Sequence, residues 1–315
     1  MMISVALCTY NGQQFLPDQL RSLASQSRLP DELVVCDDRS TDGTWDLLAE
    51  FSRQASFPVR VERNQEQLGP AENFARCLAR ARGRWVVLCD QDDVWLPEKI
   101  SVLAEKMTVL EVSCGPEFPL LIHSDAKVVD VELNTIADSL WAYQGSRPAS
   151  GHVLNRLLLQ NCVTGCTAMV NRALLEKALP IPGQALMHDW WLALVAAVFG
   201  QIDWHPEPLV LYRQHGGNDT GAKGWGIWVA IRSLLDFYGR AEARQVNAQV
   251  VQKTVSQAKA FVERFHAQLS PQQLEAIRAF ASLSTEPYWK KRYLILKHGL
   301  YYHGLLRNAG HLLLK

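Results

Sequence analysis

Apolar positions in the first hundred residues fall into short unbroken runs separated by stretches of helical period. ISVALCTY (3–10) reads as a continuously apolar strand, ELVVC (32–36) as a second buried strand, VRVE (59–62) as a third strand and RWVVLC (84–89) as a fourth. Between them, Phe15, Leu16, Leu20 and Leu23 recur at helical spacing. Trp45, Leu48 and Phe51 mark a second helix after the turn-and-cap stretch RSTDGT. GPAENFARCLARARG predicts a third, with Phe74 and Leu78 inward and Gly83 as its stop. Pro97 suits the first turn of a fourth, with Ile100, Leu103, Met107 and Leu110 on one face. Near-continuous apolar strands alternating with helices predict an α/β fold, Rossmann-like, with a mostly parallel sheet covered on both sides.

The pattern then loosens. LLIHSDAKVVD reads as one or two strands, NCVTGCTAMVN as extended, RALLEKAL as a short helix. MHDWWLALVAAVFG predicts a helix with His188 or Asp189 near its start and Gly200 as its stop. EPLVLYRQHGGNDTG predicts a strand running into a glycine-rich loop. From Lys223 the period is helical throughout, with Ile227, Trp228, Ile231, Leu234, Leu235 and Tyr238 on one face. Two parts follow: an α/β domain over 1–222 and a C-terminal helical subdomain over 223–315.

Length and composition fit this division. A chain of 315 residues accommodates a large α/β domain and an appendage. A formal net charge of +0 supplies no overall field to draw in nucleic acid, so electrostatic work is local. Seven scattered cysteines, mostly in apolar runs, suggest buried thiols in a reducing cytoplasm rather than a disulfide framework. The start, MMISVALCTYNG, lacks a basic n-region and does not read as a signal peptide. The longest apolar run, WWLALVAAVFG, is too short to span a bilayer.

Candidate chemistry gathers at strand ends. Asp37 and Asp38 follow the second strand; Asp90, Asp92 and Asp93 follow the fourth. In a parallel sheet both clusters lie on the carboxyl edge, where such sheets bind ligands. In an extended backbone Asp90 and Asp92 project to one side. Neighbouring carboxylates there have raised pKa values unless a cation joins them. Oxygen ligands suit Mg²⁺ or Mn²⁺ holding a substrate phosphate. The alternative is a solvated acidic turn capping the helix at Pro97. DQDDV also fits a haloacid-dehalogenase-type phosphatase with Asp90 as nucleophile, but that motif belongs on a first strand and three strands precede it. A non-catalytic nucleotide-sugar-binding scaffold would use the same acids. No G-x-G-x-x-G follows the first strand, against a dinucleotide site.

The chain resembles family-2 glycosyltransferases of the GT-A fold, and more narrowly the bacterial rhamnosyltransferase-like branch of surface-polysaccharide assembly. SVALCTYNG, LVVCDDRSTDGT, ENFARCLARARGRWVVLCDQDDVW, HSDAKVVD, NCVTGCTAMVNRALL, HDWWLAL and LYRQHGGN carry the resemblance, in family order, over roughly residues 3 to 222. It implies that Cys8, Thr9 and Tyr10 flank the nucleotide base and that Asp38, with Asp37 beside it, bonds the base. Asp90, Gln91 and Asp92 match the metal and ribose-diphosphate motif, with Asp90 and Asp92 on the metal. Asn73 matches a position near the donor, although Glu72 stands where the family often has a basic residue. Arg213 would neutralise the diphosphate and His215 would supply a metal nitrogen. Asp189 matches the catalytic base; it also suits a helix cap. Trp190 and Trp191 form either an acceptor platform or core, and Asp93 lies on the acceptor side; His188 either tunes Asp189 or packs.

The implied reaction is inverting transfer from a dTDP-sugar or UDP-sugar, rhamnose first, to a saccharide or lipid-linked saccharide. Trp225, Trp228, Tyr293, Tyr301 and Tyr302, with Lys290, Lys291, Arg292, Lys297, Arg307 and Lys315, suit peripheral contact with the cytoplasmic face of the inner membrane. They equally suit a subdomain packed on the catalytic domain.

Overall fold

A computed structural model describes residues 1–149, 153–216, 241–304 and 308. Its chain runs β1 (Ile3–Thr9), α1 (Leu16–Ala24), β2 (Glu32–Asp37), α2 (Thr44–Gln54), β3 (Val59–Arg63), α3 (Pro70–Arg80), β4 (Trp85–Cys89), β5 (Val94–Trp95) and α4 (Lys99–Cys114). Then follow β6 (Leu120–Val129), β7 (Thr135–Ala137), α5 (Leu140–Gln144), α6 (Leu154–Leu157), β8 (Ala168–Asn171), α7 (Arg172–Ala178), α8 (His188–Phe199) and β9 (Gln201–Arg213). Helices Ala241–Phe265, Pro271–Ser282 and Tyr288–His298 close the described chain.

One sheet runs in the order β3-β2-β1-β4-β8-β6-β9-β5, with β7 paired to β6. The four strands expected from the apolar runs form its parallel half. The other half is mixed: β8 lies antiparallel to both β4 and β6, β6 and β9 are parallel, and β5 is antiparallel to β9. Residue alternation divides the core between the two faces. Ala6, Cys8, Val34, Cys36, Val86 and Leu88 face α3, α7 and α8. Ile3, Val5, Leu7, Leu33, Val35, Trp85 and Val87 face α1 and α4. Burial on both sides explains why these strands read as unbroken apolar runs.

Three local expectations change. The stretch 161–171 is not extended throughout, because a 3₁₀ turn at Gly165–Thr167 precedes β8. Strand β9 begins at Gln201 and so starts before Glu207. Helix α3 ends at Arg80, and Gly83 serves a close approach instead: a Cβ there would lie 2.6 Å from Ser4 N.

The C-terminal helices pack on α8. Trp191 lies 5.4 Å from Phe261 and 6.2 Å from Phe265, ring centre to ring centre. Ser270 and Gln273 form a reciprocal capping box that starts the helix Pro271–Ser282. The expected boundary at 222/223, the face from Ile227 to Tyr238, and Trp225, Trp228, Arg307 and Lys315 lie outside the described residues. No helix among the described residues is long and apolar enough to cross a membrane. All seven cysteines are free, and six are buried.

Candidate active site

A cavity of about 270 Å³ opens at the carboxyl ends of β1, β2 and β4. Its walls are Cys8, Thr9 and Tyr10 after β1, Asp38 after β2, Gln67 to Phe74 around the start of α3, and Asp90, Gln91 and Asp92 after β4. Thr164, Gly165, Met187, His188 and Asp189 close the opposite side, with Tyr212 from β9. The structure thus brings both acid-bearing strand ends and the start of α8 to one opening.

The side beyond β1 and β2 is built on backbone donors. Asp38 accepts from the amides of Leu68 and Gly69, each at 2.8 Å, and from Asn64 Nδ2 at 2.7 Å. Gly69 has φ +82°, and Pro70 then starts α3. Asn73 is buried; it accepts from Asn64 and donates to the Cys36 carbonyl. Asp37 does not reach the cavity. It is fully buried and accepts from Thr9 Oγ1 and from Ser40, so it organises the turn after β2 and is not a base contact. Gln91 joins the loops after β1 and β4: its amide accepts from Tyr10 N and donates to Tyr10 O, both at 2.9 Å. Tyr10 itself is exposed at the rim.

Beneath the opening the carboxylates crowd. Burial, then Asp92, Asp93 and Asp189, push the Asp90 carboxyl well above its usual range. Asp93 is fully buried, held by the Arg213 amide at 3.1 Å and pushed up to about 7 chiefly by burial. That position removes it from any acceptor surface. The compensating cation is Lys99, also fully buried. Its ammonium donates to the Cys166 carbonyl, sits 3.3 Å from the Trp95 ring centre, and is lowered to about 8 by burial despite the nearby acids. Asp90, Asp93 and Cys166 offer ligand atoms within 4.8 Å of one another, the one such acid, thiol or imidazole group among the described residues. Burial holds the Cys166 thiol protonated and Lys99 shares its surroundings, so the inner part of this group does not suit a hard cation. The outer carboxylates, Asp90 and Asp92, line the cavity and do fit one.

Two expected ligands are already engaged. Arg213 is 2 % exposed and turned away from the cavity, which corrects its assignment to a diphosphate. Its guanidinium donates to the Asp92 carbonyl (2.9 Å), the Val131 carbonyl (2.6 Å) and Asp18 Oδ2 (2.7 Å), and it covers the Phe15 ring. His215 Nε2 lies 2.8 Å from Asp92 Oδ2, and its ring packs on Phe15. That contact orients Asp92 and leaves Nε2 beside the carboxylate with which it was expected to share an ion.

On the far wall, Asp189 enters from the first turn of α8. Oδ2 accepts from Gly165 N at 2.9 Å and Oδ1 from Trp190 N at 2.6 Å. Burial raises its carboxyl to about 6, against the opposing pull of those amides and Asn161. The group is therefore ionised at neutral pH yet basic enough to take a proton. Both tryptophans leave the acceptor side. Trp191 is fully buried and donates to the Ala178 carbonyl; Trp190 is 8 % exposed and donates to the Leu157 carbonyl. Their indole edges satisfy core backbone, so neither forms a platform.

Sequence reasoning missed Lys99 and Gly165. Lys99 precedes Leu103 and Met107 by four and eight positions, on the apolar face of α4, and that placement was the available signal. Gly165 sits in a run of small residues with no periodicity to mark it.

A model for Glycosyl transferase family 2 matches residues 4–119, from β1 through α4, including Asp38, Asp90 and Asp92 but not Asp189. The dTDP-rhamnosyl transferase RfbG of Shigella flexneri is 24% identical over 227 residues, 69% of this chain and 74% of that protein. Among solved structures, S. aureus TarS 1-349 in complex with UDP-GlcNAc aligns with a TM-score of 0.57 at 16% identity, over 93% of this chain and 84% of that one. The mannosyltransferase PcManGT from Pyrobaculum calidifontis, in complex with GDP-Man and Mn²⁺, aligns with a TM-score of 0.52 at 17% identity, over 98% and 83%. At these identities the two structures speak for the fold, which is GT-A. With the acids of the matched region gathered at one cavity, the chain is a glycosyltransferase of the GT-A fold whose residues 4–119 match family 2.

Proposed function

We propose that the protein is an inverting, metal-dependent glycosyltransferase acting in assembly of a bacterial surface polysaccharide. It moves a sugar from a nucleoside-diphosphate donor to a saccharide or lipid-linked saccharide. The observation that carries this reading is the single cavity that holds the Asp90 and Asp92 carboxylates opposite Asp189. RfbG supports dTDP-rhamnose as first donor; the UDP-GlcNAc bound to TarS makes a UDP-sugar second. The Mn²⁺ in PcManGT supports Mn²⁺ or Mg²⁺.

Asp90 and Asp92 would hold the ion, with His215 fixing the orientation of Asp92. When bound, that ion neutralises charge on the leaving diphosphate. Cys8, Thr9, Tyr10 and Asp38 receive the nucleoside, with Asn73 bracing Asp38 through Asn64. Asp189 takes the proton of the acceptor hydroxyl as that oxygen displaces the nucleoside diphosphate and inverts the anomeric carbon.

A thermal-shift screen of dTDP, UDP, dTDP-rhamnose and UDP-GlcNAc, with and without Mn²⁺, tests donor and metal together. A ligand at a hundred times its Kd stabilises by about 2.7 kcal/mol. The metal-dependent part should vanish in Asp92→Ala. Transfer from the donor so selected to octyl glycosides then tests the reaction. A flat screen, or binding without transfer to any acceptor, overturns the reading.

The helix Tyr288–His298 supports a peripheral place at the cytoplasmic face of the inner membrane. Trp289, Tyr293 and Leu296 stand 70, 57 and 59% exposed at spacing i, i+4, i+7, so they form one stripe. Lys290, Lys291, Arg292 and Lys297 flank it, and the helix carries no acid. Aromatic and basic groups together suit an anionic lipid surface.

A further inference from the structure

We propose that His188 is the acceptor-binding residue of this cavity, its imidazole holding a hydroxyl of the incoming sugar beside the Asp189 carboxylate. The inference rests on the glycosyl-transfer reading and adds a residue to it. His188 is 3 % exposed, and its side chain lines the cavity. Its ring stacks on Phe74, centre to centre 3.7 Å and 15° from parallel. That stack fixes the plane of the imidazole from one side. Neither ring nitrogen has a hydrogen-bond partner among the described residues.

A buried imidazole with both nitrogens idle is costly, because each has lost water and gained nothing. Core histidines are normally satisfied. His188 instead gives up that bonding at the wall of an open cavity, next in sequence to the proposed base. Gly165 shows that the two groups share one spot. A Cβ on Gly165 would lie 3.1 Å from His188 Nε2 and 3.3 Å from Asp189 Oδ2. His188 and Asp189 therefore both pack against Gly165, and all three line the same cavity wall. A hydroxyl in the cavity beside them can meet one group able to donate to or accept from it and one able to take its proton.

The chemistry of the imidazole fits a positioning contact rather than a second base. Burial lowers its pKa to about 3, so it stays neutral at working pH. A neutral ring offers one donor and one acceptor nitrogen, the same pair of functions a sugar hydroxyl offers in return. Burial against Phe74 also keeps water from competing for the contact.

The test compares His188→Phe, which preserves an aromatic stack on Phe74, with His188→Gln, which preserves a donor and an acceptor. The full chain is assayed with dTDP-rhamnose or UDP-GlcNAc, Mn²⁺ and octyl glycosides, and nucleoside-diphosphate affinity is measured by calorimetry. His188→Phe should raise the acceptor KM by about tenfold or more while kcat and nucleotide Kd stay within about twofold. His188→Gln should recover most of that loss. His188→Leu gives the same reading as Phe if the larger ring disturbs folding. An unchanged acceptor KM in the apolar variants overturns the proposal. So does an equal rise in nucleotide Kd, which would mean that the ring merely supports the fold. If wild-type protein binds nucleotide but transfers to no acceptor, it is the glycosyl-transfer reading that fails, and this inference fails with it.

Discussion

Asp189 and Lys99 show what burial does to opposite charges. Asp189 must be ionised to act as a base, and its carboxyl is raised to about 6. The contribution proposed for it is therefore complete above that pH and lost as pH falls through it. A profile of kcat/KM should bend near pH 6 and drop about tenfold per unit below. Asp189→Asn should lower kcat by at least about a hundredfold with nucleotide affinity retained, read by calorimetry. Lys99 answers a different need, since Asp93 and Asp90 crowd around it in the interior. Lys99→Met leaves those acids without their counter-charge and is expected to cost about 3–5 kcal/mol in urea denaturation. The sequence made the acids conspicuous, because charges directly after an apolar strand stand out. It hid the partners that disarm Asp37, Asp93 and Arg213, because those bonds join residues far apart in the chain: Arg213 to Asp18, Asp93 to the Arg213 amide, and Asp37 to Thr9.

At the level of elements, period was a good guide wherever an element is long and uniformly buried. Strands β1, β2 and β4 are buried at every position, and each was visible as an apolar run. Helix α8 was legible for the same reason. Period failed at the two-residue β5 and at the 3₁₀ turn Gly165–Thr167, which are too short to repeat anything. The turn nevertheless decides the far wall of the cavity, since its first amide fixes Asp189. Glycines at corners are likewise set by close contact. A Cβ on Gly200 would lie 1.8 Å from the Pro119 carbonyl oxygen. Gly200→Ala must push the start of β9 off β6 and should destabilise by about 3 kcal/mol, read as a lower denaturation midpoint.

Across the whole molecule, a net charge of +0 conceals a division of labour. Acids concentrate at the cavity, and basic residues flank the aromatic stripe of Tyr288–His298. Vesicles rich in phosphatidylglycerol should sediment the protein, and phosphatidylcholine vesicles should not. Trp289→Ala with Tyr293→Ala should abolish the difference; equal sedimentation with both lipids would remove the membrane role. Packing of Trp191 against Phe261 and Phe265 ties the C-terminal helices to α8, so both parts answer to one core.

The buried ammonium of Lys99 also bears on the divalent ion proposed for this site. Because Lys99 supplies a counter-charge beneath the acids, the fold is expected to hold without metal. A chelator such as EDTA should silence the enzyme and leave its melting temperature where it was. On the proposed reading the ion would be a passenger, boarding with each fresh donor and leaving with each spent nucleotide.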